Sequence, residues 1–224
     1  MDTQARAEEE ARGLSRRDLL KRAGIVGVAV AVPAAATSSQ AAKPKEREAL
    51  ETFTTAEAEA VEAFVDRLIP SDAAGPGASE ARVARYIDRA LSGELASSRP
   101  AYNAGLAALD RHSRTRFGAE FADLAPAQQD AVLTDLERNV APGFTPDSRT
   151  FFDLVREHAL QGMFGDPYHG GNADFVGWDL LGFPGVKLSF GAAEQQMDVN
   201  VIPAHKSTTD YPMFSGVKGR QHAH

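Results

Sequence analysis

Asp166 and His169 flank Tyr168 in the stretch "GDPYHGGNADFVGWDLLGFPG", residues 165–185. A carboxylate and an imidazole three residues apart could share acid–base work, one holding the other's proton. No serine or cysteine nucleophile accompanies them at a motif spacing, so turn-forming polar residues are the plainer reading. His158 follows Phe151 by seven residues and Val155 by three, which puts it on the apolar face of a helix. There it is either a general base or a satisfied core histidine, and the second is the commoner case. His205, His222 and His224 could gather a metal, but two histidines at a chain end do not make the three or four ordered ligands of a tight site. Asn172 follows Gly170 and Gly171, where it either satisfies backbone amides or takes a left-handed conformation. The residues that carry chemistry therefore nominate no catalytic set.

Other chemistries fall away with the composition. The chain has no Cys, which removes disulfides, thiolate nucleophiles, Cys-ligated metals and haem c attachment in this chain. No G-x-G-x-x-G follows a strand, and no phosphate loop, G-x-S-x-G or H-E-x-x-H occurs. A net charge of −7 argues against a general nucleic-acid binder, which needs a basic face.

The elements that must position residues 165–185 are helical. Thr54 and Glu57 form a capping-box pattern after Phe53, and Val61, Phe64, Val65 and Leu68 then recur at helical spacing up to Pro70. Ser79 is placed to cap a second helix with Val83, Tyr86, Ile87 and Leu91 on its apolar face. Pro100 opens a third, with Leu106, Leu109 and Phe117 inward, and Pro126 opens a fourth, with Val132, Leu133 and Leu136 inward. Asp147 can cap a fifth that carries Phe151, Phe152, Leu154, Val155 and Leu160 and ends near Gly162. No segment from 51 to 163 alternates as a strand would. The expected fold is all-α: a bundle of about five helices over residues 51–164, then a long Gly/Pro-rich irregular segment over 165–224. The last stretch has few apolar anchors and reads as a loosely held arm.

The segment 165–185 holds the chain's single Trp and six of its Gly. Trp178 and Phe183 either fill the mouth of the bundle or serve as anchors for a partner. The candidate partner residues are Tyr168, His169, Asn172, Phe175, Trp178 and Phe183.

Ahead of the bundle, "LSRRDLLK" precedes an apolar run from Ala23 to Val32 and then Ala34 and Ala36 in an A-x-A arrangement. This is the layout of an export signal over residues 1–36, followed by a solvated linker over 37–50. The alternative, an uncleaved anchor, is weakened because the run is about half the roughly 20 residues that span a membrane. Arg16 and Arg17, with Ser15, Leu20 and Lys21, resemble the twin-arginine signal, with Leu19 in the usual Phe place. That route carries folded cargo, so a cofactor is expected in this chain or in a passenger.

Three features together resemble the gluconate 2-dehydrogenase subunit 3 family: the twin-arginine signal, "RLIPSD" at the end of the first helix, and "GMFGDPYHGGNADFVGWDLLGFPG" over residues 162–185. The resemblance covers roughly residues 50–187. It implies a non-catalytic small, or gamma, subunit of a sugar or polyol dehydrogenase complex. The implied partners are a flavoprotein large subunit of the glucose–methanol–choline class, which holds FAD, a cytochrome c subunit with haem c, and the twin-arginine translocase. The implied role is to bind and stabilise the flavoprotein and carry it out, to the periplasm or the outer face of the cytoplasmic membrane. The other reading is a free-standing exported enzyme or sugar-binding protein that uses Asp166, His169 and Trp178.

Overall fold

A computed structural model describes residues 49–197, 199 and 203–215. The leader with Arg16 and Arg17, the linker up to residue 48, and His222 and His224 lie outside the described residues. Seven α-helices occur among the described residues, which contain no β-strand: α1 (Thr55–Leu68), α2 (Val83–Ala90), α3 (Arg99–Phe117), α4 (Pro126–Glu137), α5 (Ser148–Phe164), α6 (Val176–Leu181) and α7 (Pro212–Ser215). No described helix is long and apolar enough to cross a membrane.

The start of α1 follows its local chemistry. Thr54 Oγ1 accepts from the Glu57 amide, and Glu57 Oε2 accepts from the Thr54 amide at 2.8 Å, so two orphan donors are satisfied reciprocally. Asp147 caps α5 in the same spirit, accepting from the Thr150 amide at 2.9 Å. Pro126 occupies the first turn of α4, where its missing N–H costs nothing. The second cap differs from expectation. Ser79 lies in a turn ahead of α2 and donates its hydroxyl to Asp66, while Arg82, in the left-handed region at φ 56°, begins the helix.

Helix α5 runs through the middle and packs against α1, α2, α3 and α4. Phe64 of α1 is wholly buried and meets the rings of Phe121, Phe151 and Phe152 at 6.0–6.2 Å between centroids. Rings at such spacings add to the roughly 1.5–3 kcal/mol that burying each aromatic side chain contributes. Gly105 of α3 lets this happen, because a Cβ there would lie 2.2 Å from the Phe151 ring. Leu160, expected among the inward residues of α5, is 46% exposed, and the helix continues to Phe164 rather than ending near Gly162.

The chain is tied in ahead of α1 by a carboxylate that no local pattern announces. Asp88, on α2 and 1% exposed, accepts the amides of Glu51, Thr52 and Phe53 at 2.8–2.9 Å and pairs with Arg85. Four charge-assisted bonds offset the cost of burying that charge.

Candidate functional site

The segment after α5 is a compact turn rather than a loop. Gly165 follows the helix, Pro167–His169 make a single 3-10 turn, and Gly170 reverses the chain at φ 97°. The chain then passes back against α5 so closely that a Cβ on Gly171 would lie 2.2 Å from the Gly162 carbonyl oxygen. A Cβ on Gly177 would lie 1.9 Å from that of Met163. Glycine here is a condition of backbone contact, not of flexibility.

Asn172 holds the turn shut, and both expectations for it are met. It is wholly buried at φ 44° and ψ 43°. Its Nδ2 donates to the Gly165 carbonyl at 2.9 Å, and its Oδ1 accepts from the Gly177 amide at 2.8 Å. Its own amide donates to Gly162 at 2.7 Å. Phe175 also sits at positive φ, 64°, a conformation costing a bulky residue about 1–2 kcal/mol. Its ring is held between Trp178, at 5.5 Å, and a stacked His205 imidazole, at 5.1 Å.

Trp178 is turned inward and 6% exposed. Its Nε1 donates to the Phe164 carbonyl at 2.8 Å, and Phe183 packs edge-on against it at 4.9 Å. Phe183 itself remains 41% exposed. His169 lies beside Glu94, 3.6 Å away, with Tyr168 beneath the Arg89 guanidinium. Of the candidate partner residues, then, Asn172 and Trp178 build the segment from within. Tyr168, His169, Phe175 and Phe183 retain outer surface.

Asp166 and His169 do not meet in a pair. Asp166 accepts from the Tyr168 amide at 3.0 Å, the Ser207 hydroxyl at 2.5 Å, the Thr208 amide at 2.9 Å and the Thr208 hydroxyl at 2.8 Å. Partial burial by itself would raise this carboxyl, but the four hydrogen bonds outweigh it and hold the group below the usual aspartate range. The close Asp–His contacts are elsewhere: Asp179 with His205 at 2.8 Å, and Asp135 with His112 at 2.9 Å beside Arg116. His158 is buried and bonds the Tyr102 hydroxyl through Nδ1 at 3.1 Å, as a satisfied core histidine would.

Residues 203–214, ending in α7, form a strap across this turn, which the sequence pattern did not show. Ala204 donates to the Pro184 carbonyl at 2.7 Å, Val186 donates to that of Lys206 at 3.0 Å, and Tyr211 Oη donates to that of Val186 at 2.5 Å. Ser207, 6% exposed, is the residue driven inward. No group of three or more metal-ligating side chains occurs among the described residues.

Twelve large hydrophobic side chains are exposed among the described residues, and nine of them follow Asp179. The bundle is thus covered by ordinary polar surface, while α6, the chain after it and the strap present Leu, Phe and Met to the outside. Nine exposed apolar side chains within one stretch of the chain exceed the scattered single residues of an ordinary surface.

A family model described as Gluconate 2-dehydrogenase subunit 3 matches residues 55–185, more than half of the chain. The matched region runs from the first residue of α1 to the last glycine of the closed turn. Comparisons with curated proteins and with solved structures gave no match.

Proposed function

The chain belongs to the gluconate 2-dehydrogenase subunit 3 family and is a subunit of such a dehydrogenase complex; from that premise we propose that it is the accessory, non-catalytic subunit that escorts the catalytic one. It binds a flavoprotein of the glucose–methanol–choline class, which carries FAD, stabilises it, and supplies the Arg16/Arg17 signal that takes the folded pair through the twin-arginine route to the periplasmic side. Any haem c in the complex sits on another subunit, a cytochrome c, since a Cys-free chain cannot attach it. The observation that carries the reading is the concentration of exposed apolar side chains on the C-terminal segment of a chain whose bundle is otherwise conventionally covered. A free-standing enzyme using Asp166, His169 and Trp178 has less support. Asp166 is occupied by four donors, and the indole is covered.

The test is co-expression with the flavoprotein subunit, with and without Arg16→Lys and Arg17→Lys, and assay of flavin-linked sugar dehydrogenase activity in the exported fraction. Export of activity only with the arginines intact is the expected result. Equal export with the lysine variant would remove the escort role.

A further inference from the structure

The strap is built inside out for a free-standing protein. Its inward groups are polar: Ser207 and Thr208 on the Asp166 carboxylate, and backbone on backbone at residues 184–186 and 204–206. Its large apolar groups face outward, with Met213 70% and Phe214 38% exposed. Across the pairing, Leu188 and Phe190 are likewise 49% and 45% exposed, and α6, which buries Trp178 on one side, leaves Leu181 63% exposed on the other. Tyr211 touches Val186, so Met213 and Leu188 each lie two residues from that contact, about 7 Å of chain. An arm that merely capped its own bundle would turn these side chains in, since leaving them in water wastes their burial.

We propose that this outer face, made of the end of α6, residues 188–190 and the strap, is where the catalytic subunit docks, and that Asp166 is the positioning residue that assembles it. The proposal rests on the escort reading above, which supplies the occupant: a folded subunit of the same dehydrogenase complex. The partner chemistry it fits is an apolar groove that takes Leu181, Phe190, Met213 and Phe214, rather than a charged surface. Asp166 touches no partner in this account. It acts by fixing Ser207 and Thr208, and through them the strap.

The experiment uses full-length chain co-expressed with the flavoprotein subunit, the affinity tag being on the flavoprotein. The double variant Leu181→Arg/Met213→Arg places charge on exposed positions, so the fold is undisturbed; it is expected to weaken binding at least tenfold. Val140→Arg, equally exposed but on the bundle at 64%, is the control and is expected to bind normally. Asp166→Asn is expected to speed hydrogen exchange over residues 203–211, to leave the bundle's melting unchanged, and to weaken binding. Ser207→Ala/Thr208→Val, made from the strap side, should reproduce this and add nothing to Asp166→Asn, as partners in one contact do. If wild type binds and the Leu181/Met213 variant binds equally well, the docking face is wrong while the escort reading stands. If the strap loosens and binding is unchanged, Asp166 does not position the interface. If wild type itself fails to co-purify, the escort reading falls and takes this proposal with it.

Discussion

The indole N–H of Trp178 donates to the carbonyl of Phe164 at 2.8 Å, across a separation of fourteen residues. That carbonyl belongs to the last turn of α5, where the helix offers it no amide. The tryptophan therefore completes a helix end, and its ring then supports Phe175 and Phe183. Trp178→Phe should lose the bond but keep most of the packing, costing about 1–3 kcal/mol for the stranded acceptor. Trp178→Ala should cost about 3–5 kcal/mol. Hydrogen exchange locates the damage: faster exchange over residues 172–186, with α1 unaffected, is the expected pattern. Uniform loss across the bundle would show instead that the turn and the bundle unfold as one unit.

Asp88 makes a sharper claim about the other end of the fold. Three consecutive amides and Arg85 converge on a carboxylate that is 1% exposed. Asp88→Ala strands the three amides together, leaves Arg85 with its Glu51 contact, and should destabilise the protein by about 3–5 kcal/mol, the scale for breaking a buried pair. Asp88→Asn keeps the shape and an acceptor oxygen, and should cost less. A urea denaturation series over wild type and the two variants tests the order. Equal stability of wild type and Asp88→Ala would mean that the lead-in to α1 contributes nothing to the fold.

What was legible in the sequence was local. The Thr54/Glu57 box, Pro126 in a first turn and the Asp147 cap each involve partners within a few residues, so residue type and spacing determine them. The apolar faces of α2 and α4 came out for the same reason. Ser79 misled because Arg82 takes positive φ and delays the helix, a choice made by the turn's packing against residues 69–78 rather than by the serine. Leu160 fits the composition of α5 but falls on its outer side. The roles of Asp88 and Asp166 were unreadable because the partners that give them those roles, beyond Arg85 and the Tyr168 amide, lie 35–37 and 41–42 residues away. A single Asp carries no mark of which distant amide it will accept. Asn172 lay between: the Gly-Gly-Asn pattern announced its backbone conformation, and only the fold could show that it bridges Gly165 and Gly177.

His158 gives the chain a pH dependence whose sign is fixed by geometry. Burial lowers its pKa below the ordinary histidine value of 6.5, with neighbouring Glu157 opposing weakly. Burial also pushes the Tyr102 hydroxyl well above its usual range, so Tyr102 stays protonated beside the ring. The folded state thus prefers neutral His158, while the unfolded chain takes up a proton near pH 6.5. Between the folded and unfolded pKa values the unfolded state binds more protons, so stability rises with pH there. The contribution is complete above 6.5 and is lost as pH falls toward the folded value. His158→Gln removes the titration but keeps a hydrogen-bonding group for Tyr102. Its melting temperature should fall less than that of wild type between pH 7.5 and 5.5, because every other ionisable group is common to both proteins and cancels in the difference. Identical slopes would mean that His158 is already free to take a proton in the folded bundle. The Tyr102 hydroxyl would then accept from the protonated ring nitrogen instead of donating to it.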